Sequence, residues 1–261
     1  MKMSNIIDLE EQKSIQLEML KEVHKFCVKH EIRYSISYGT LLGAVRHKGF
    51  IPWDDDVDIM MPVPDMFRFK RLFKSDNLYY CDVDVNKNYE NAFSEIVHYK
   101  SYRKRGAFLR DRGVGIDLYP VISIPDSKKE QEQFFNECQL LFNKRMQALK
   151  WKYRFNHYLS IMSFPGLRST LLKYRDYLIN YAPEYGSTNS FYIISEPISR
   201  RAKDIYTFDL FSEMMNLDFE DSSFCAISKY DLFLKAQYGD YMQLPPEDQR
   251  HPYHGQTYYW K

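Results

Sequence analysis

From Leu9 to His30 the apolar positions Met19, Leu20, Val23, Phe26 and Cys27 recur at the three-and-four spacing of a helix with one buried face, which predicts a long first helix. The next residues, Tyr34-Ser35-Ile36-Ser37-Tyr38, alternate as a half-buried strand does, until Gly39-Thr40 breaks the pattern. LLGAVRH then reads as a short helix ending near Gly49. Pro52 bars its continuation, and VDIMM reads as a second strand that stops at Pro62. Farther on, an apolar stretch over Phe93–Tyr99 precedes the basic segment YKSYRKRGAFLRDRG, and GIDLYPVISI has the composition of a further strand. After Pro125 the periodicity turns helical from Lys128 to Tyr181, with one break at Pro165-Gly166, and the remainder mixes turns with short elements. Neither an internal repeat nor a low-complexity linker interrupts the chain, so the pattern predicts one α+β unit with a helical middle segment.

Composition narrows the function classes. Thirty-six Lys and Arg stand against 35 Asp and Glu, a balance that does not suit a nucleic-acid binder and confines any attraction for phosphate to local groups. Cys27, Cys81, Cys138 and Cys225 form no CxxC pair, which argues against a zinc site and gives no disulfide framework. The N-terminal residues contain no apolar stretch of signal-peptide length, and the run Leu159–Leu167 falls far short of the roughly 20 residues needed to span a bilayer. A cytoplasmic protein is the expectation. The 22 Tyr and 18 Phe predict a core built partly from amphipathic rings.

The chemistry concentrates in WDDDVDI. If the strand of VDIMM extends back to Asp54, then Asp54, Asp56 and Asp58 share one face while Val57 and Ile59 face the core, and Asp55 points away and can be spared. Two carboxylates about 4 Å apart at an effective dielectric near 20 repel by roughly 4 kcal/mol, so such crowding calls for a compensating cation. Hard cations such as Mg²⁺ or Mn²⁺ take one or two carboxylates together with phosphate oxygens and water, which an Asp-x-Asp pair supplies. A plain solvated charge run is the competing reading, while a calcium loop of the EF-hand type fails because Ile59 stands where the loop needs glycine. Gly39 and Thr40 ahead of a helix suit a phosphate, or Thr40 simply caps the helix; Arg46 either reaches the same phosphate or balances the helix C-terminus. Asp117, an isolated acid between Ile116 and Leu118, is the candidate third ligand from a neighbouring strand.

The blocks YGTLLGAVRHKGFIPWDDDVDIMM, GIDLYP, SEPISRR and YGDYMQLPP together resemble the LicD family of phosphocholine transferases, whose core is similar to that of nucleotidyltransferases. The resemblance covers nearly the whole chain. It implies a nucleotidyltransferase-like mixed β-sheet flanked by helices, with a core over 1–125, a helical insert over 126–185 and a C-terminal part over 186–261 completing the site. It implies that Gly39 and Thr40 form a phosphate-binding turn, that Asp56, Asp58 and Asp117 bind Mg²⁺ and carry catalysis, and that Asp54 is an additional acid. One departure is Ile122, where many relatives carry an acid. The implied donor is CDP-choline, whose phosphocholine would pass to a hydroxyl of a cell-surface glycan precursor, of teichoic acid or lipopolysaccharide type, with release of CMP. Alternatives are ribitol, glycerol or ethanolamine phosphate carried as CDP-alcohols, or transfer of a nucleoside monophosphate. Lys100, Arg103, Lys104, Arg105, Arg110 and Arg112 are candidates for holding the donor diphosphate or an anionic acceptor, and Arg250 for facing the site. Tyr38, Trp53 and Tyr119 are the nearest rings for a choline cage, with core packing as their alternative role. The basic and aromatic run Lys150–Arg175 reads either as a membrane-surface patch that meets a lipid-linked acceptor or as a packed helical insert.

Overall fold

In the computed structural model, which describes residues 5–86, 89–105, 109–154, 165–180, 182–195, 202–252 and 255–261, a short strand β1 (Ile6–Ile7) leads into α1 (Leu9–Lys29). The Asp8 side chain caps α1 by accepting the Glu11 N–H at 2.9 Å, which supplies one of the partners that the first helical turn lacks. There follow β2 (Ser35–Ile36), α2 (Tyr38–Arg46), β3 (Asp58–Pro62), α3 (Val63–Leu72), β4 (Leu78–Cys81), β5 (Ser94–His98), β6 (Ser101–Arg105), β7 (Leu109–Asp111) and β8 (Gly115–Ile124). The second half contributes α4 (Lys128–Arg154), α5 (Pro165–Asn180), β9 (Ser190–Ile193), β10 (Ile205–Tyr206), β11 (Met214–Phe219), β12 (Ser222–Ile227), α6 (Tyr230–Tyr238) and β13 (Tyr258–Trp260).

The ten-residue β8 organises the main sheet. One edge pairs in parallel with β3, from Asp58 opposite Asp117 to Pro62 opposite Val121. The other edge is shared, because β5 runs antiparallel along Gly115–Leu118 and β9 along Val121–Ile124. The path is β10-β9-β8-β3-β2, with β4 added outside β5. Every residue of β3 is buried, so its near-continuous apolar run MMP follows from cover on both faces. A second sheet, β1-β13-β6-β7, is closed by the C-terminal strand, and β11 and β12 form a hairpin tied to β2 by the Ile227 N–H donating to Ser35 Oγ at 3.0 Å.

Two apolar cores flank the main sheet. The first joins Met19, Leu20 and Val23 of α1 to Ile59, Ile116, Leu118 and Phe233. The second joins Ile122, Ile124 and Tyr192 to Phe134, Phe135 and Cys138 of α4 and to Leu171, Tyr174 and Leu178 of α5. Ile122 is therefore a core side chain here.

The mixed α+β class and the elements with clean periodicity are as expected: α1, β3, β8, and helices on both sides of the Pro165 break. Three expectations change. The alternation over Tyr34–Tyr38 pairs only at Ser35 and Ile36, because α2 already starts at Tyr38. Ser37, not Thr40, occupies the N-cap position. Strand β3 begins at Asp58 and does not reach back to Asp54, so the acids upstream lie on a loop. Within the basic aromatic run, 155–164 lie outside the described residues, as do 196–201 of the SEPISRR block and His254. Arg175 from that run is turned onto the fold by ion pairs with Asp84 at 2.8 Å and Asp176 at 2.6 Å. Among the described residues no helix is long and apolar enough to cross a membrane.

Burial assigns the stability. Leu118, fully buried between β3 and β5, should lose about 2–5 kcal/mol of unfolding free energy as Leu118→Ala, whereas Leu140→Ala on the exposed face of α4 should shift it by no more than about 0.5 kcal/mol in urea titrations.

Candidate functional site

Parallel pairing sets the site's centre. Asp58 opens β3 and Asp117 lies opposite it on β8, so two carboxylates from separate strands start from adjacent register positions. The loop before β3 brings carboxylate oxygens of Asp54, Asp55 and Asp56 within 4.8 Å of one another. Asp58 is only 5 % exposed, and its Oδ1 has no hydrogen-bond partner among the described residues. Burial, followed by repulsion from Asp56, Asp117 and Asp54, raises the Asp58 pKa well above the carboxylate range, while the Gly39 N–H works in the opposite direction. Asp54 is pushed up to about 8 by burial first and then by Asp56.

The Gly39-Thr40 turn is built into this arrangement. The Ser37 N–H donates to the Asp58 carbonyl at 3.0 Å, the Asp58 N–H donates to Thr40 Oγ1 at 2.9 Å, and the Gly39 N–H donates to the Asp58 carboxylate. A Cβ at position 39 would lie 2.6 Å from Asp54 Oδ2, so only glycine lets the loop acid approach the helix start. Thr40 and Gly39 thus hold the acids in place.

Three polar residues absent from the sequence expectations position the loop from behind. Gln12 Nε2 donates to the Asp55 carbonyl at 2.5 Å, Gln16 Nε2 donates to the Gly115 carbonyl at 3.2 Å, and Lys13 Nζ donates to the Pro52 carbonyl at 2.8 Å. All three are buried. Their signal is present in the chain: Gln12 and Gln16 continue the stripe of Met19, Leu20 and Val23 by one helical repeat each, so polar groups sit where the periodicity demands apolar ones.

Between α1, this loop, β8 and β13 lies a cleft of about 310 Å³ lined by Asp55, Asp56, Asp117, Glu95, Arg103 and Tyr258, among others. Its arginines are already engaged. Arg112, 8 % exposed, donates through Nε to Glu95 Oε2 at 2.5 Å and lies over the Tyr89 ring at 4.6 Å, which offsets the like-charge register pair Glu95 and Asp117. Arg103 binds Asp111 at 2.9 Å. Lys100 sits apart, on the exposed turn between β5 and β6, and Lys104 lies over the Tyr259 ring at 4.4 Å. The side chains of Arg105 and Arg110 lie outside the described residues. Arg46 donates from Nη1 to the Tyr241 carbonyl at 2.8 Å, fastening the segment after α6. The Arg250 guanidinium lies over Trp53 at 5.7 Å, beside the acid loop. Tyr38 and Tyr119 meet edge to face at 5.1 Å, and the Tyr119 hydroxyl is 3.4 Å from Asp117 Oδ2.

Asp55 differs from its expected role. It is 7 % exposed, and its Oδ2 accepts the Gly255 N–H at 2.9 Å, so it ties the C-terminal segment to the acid loop instead of pointing away. Asp55→Ala should cost about 1–3 kcal/mol of stability by orphaning that amide, while Asp55→Asn, which keeps a carbonyl acceptor, should lose less than half as much in the same denaturant titration.

Residues 31–170 match the family model described as LicD/FKTN/FKRP, nucleotidyltransferase domain. Over 97 % of its length the chain is 28 % identical to a protein of Haemophilus influenzae named lipopolysaccharide cholinephosphotransferase LicD, of which it covers 98 %. Shorter likenesses reach uncharacterized proteins of Rickettsia typhi, 43 % identical over 24 % of this chain and 21 % of that protein, and Rickettsia prowazekii, 35 % identical over 30 % of this chain and 27 % of that one. With the Gly-Thr turn, the acid loop and the Asp117 strand all inside the matched span, the chain belongs to the LicD family.

Proposed function

We propose that the protein transfers phosphocholine from CDP-choline to a hydroxyl of a cell-surface glycan precursor, releasing CMP. The observation that carries this reading is the near end-to-end similarity to the lipopolysaccharide cholinephosphotransferase, joined to a buried acid cluster at the head of two parallel strands. The nucleotidyltransferase-like character of the core belongs to the same proposal and draws support from the matched family description.

The donor set suits a divalent cation. Asp58 carries a buried carboxylate oxygen with no partner among the described residues, and Asp56, Asp117 and Asp54 add their repulsion to its burial. Hard oxygen ligands in this number fit Mg²⁺ or Mn²⁺, with Asp56, Asp58 and Asp117 as the residues that would hold it. When bound, such an ion neutralises the donor's diphosphate charge and that developing on the leaving phosphate.

The remaining work falls to the chain itself. Gly39, Thr40 and Gln12 fix the acids, so little reorganisation accompanies reaction. The acceptor hydroxyl attacks the distal phosphorus, and its proton passes to a carboxylate of the cluster, Asp54 or Asp117. Arg250, beside Trp53, is placed to meet anionic parts of donor or acceptor, while Arg103, paired with Asp111, shapes the cleft. The net effect is positioning and charge stabilisation, as phosphoryl transfer requires.

With CDP-choline, Mg²⁺ and acceptor glycan, the wild-type protein should release CMP, and Asp58→Ala should lower the rate on the order of 10³-fold or more. Chromatography of the products decides between mechanisms. Phosphocholine in place of CMP would indicate transfer of the nucleoside monophosphate, and turnover of CDP-ribitol, CDP-glycerol or CDP-ethanolamine in preference to CDP-choline would reassign the donor.

A further inference from the structure

Asp204 is 3 % exposed, lies just before β10 and is far from the acid loop in sequence, yet its side chain is surrounded by donors. Tyr38 OH donates to Oδ1 at 2.9 Å, Gln237 Nε2 donates to the same oxygen at 2.8 Å, and Ser195 Oγ donates to Oδ2 at 2.5 Å. Gln237 is itself fixed, since its Nε2 reaches the Lys203 carbonyl at 2.8 Å and Tyr206 OH at 2.9 Å. A buried carboxylate with this many donors holds each of them firmly, because charge-assisted hydrogen bonds in a low dielectric are the strong ones.

Tyr38 is the donor that leads to the acid cluster, and Ser195 hydrogen-bonds its side chain as well. Tyr38 is the first residue of α2 and has φ of 42°, a left-handed conformation that strains a bulky side chain. Strain of that kind persists where the surroundings over-determine it. The next residue is Gly39, whose N–H donates to Asp58, and the Tyr38 ring packs on Phe233 at 5.5 Å and on Tyr119 at 5.1 Å. Tyr119 in turn reaches Asp117.

We infer that Asp204 is a positioning residue for the acid cluster: by holding the Tyr38 hydroxyl it keeps the strained Tyr38-Gly39 corner in place, and with it the Gly39 amide on Asp58 and the Tyr119 hydroxyl near Asp117. The inference rests on the reading of Asp58 and Asp117 as cation ligands. It also gives α6 and the segment around β10, which contribute no acid to the cluster, a part in shaping it.

Mn²⁺ uptake, followed by the loss of the free-ion paramagnetic resonance signal on titration of purified protein, tests this apart from any turnover. Tyr38→Phe and Asp204→Asn should each weaken Mn²⁺ binding about 10-fold, the lower end of what loss of an outer partner costs a metal site. Gln237→Ala serves as comparator, because it removes a donor from the same carboxylate while its other hydrogen bonds run to the Lys203 carbonyl and Tyr206; it should leave Mn²⁺ affinity unchanged. Thermal unfolding of each variant confirms that the titrated protein is folded. Equal weakening in all three variants, or none in Tyr38→Phe, would overturn the inference. Failure of the wild type to take up Mn²⁺ would overturn the cation reading beneath it, and the inference with it.

Discussion

Mutual repulsion among buried carboxylates is the constraint around which the rest of this structure is arranged. Asp54, Asp55, Asp56, Asp58 and Asp117 converge where β3 and β8 begin, and burial and proximity both oppose the ionisation of Asp58 and Asp54. A fold keeps such a group together only if each member is held separately. The Gly39 amide donates to Asp58 and the Thr40 hydroxyl accepts the Asp58 N–H, a backbone amide of the C-terminal segment holds Asp55, and the amide side chains of α1 hold the loop carbonyl between them. Few of these contacts neutralise charge. The missing neutralisation is what a divalent cation and a diphosphate-bearing donor would complete between them.

That constraint also explains why elements remote in sequence are drawn together. The first helix supplies Gln12 and Gln16, and the last strand pairs with β6 and lines the cleft through Tyr258. Arg112 is spent on Glu95, the acid that stands opposite Asp117, so its charge stabilises the sheet beneath the cluster. Arg46 fastens the Tyr241 carbonyl in the same structural manner. Basic residues near an acidic site thus divide between those that build it and those left to meet a ligand.

Much of this was legible in the chain. The spacing of α1 and the apolar runs of β3 and β8 gave clear periods, and the isolation of Asp117 inside an apolar strand pointed to a partner across the sheet. The loop character of Asp54 to Val57 was not legible, because alternating acids and valine imitate a strand face that hydrogen bonding does not continue. The basic segment before β8 concealed a hairpin whose stability comes from β13, more than 150 positions away; no local pattern reports such pairing. Asp204 was equally hidden, since a single acid in a polar stretch acquires meaning only when Tyr38, Ser195 and Gln237 close on it. Gln12 and Gln16 did leave a trace, as polar intruders on an apolar stripe.

The central claim is that the acid cluster is a destabilising arrangement maintained for a cation. Differential scanning of wild type and Asp58→Asn, each with and without Mg²⁺, tests it most directly. The account predicts that saturating Mg²⁺ raises the wild-type midpoint, by an amount equivalent to about 2.7 kcal/mol at a hundredfold excess over the dissociation constant, and that Asp58→Asn is at least as stable as wild type without Mg²⁺ yet gains nothing from it. A wild-type midpoint indifferent to Mg²⁺, together with a clear loss of stability in Asp58→Asn, would contradict it.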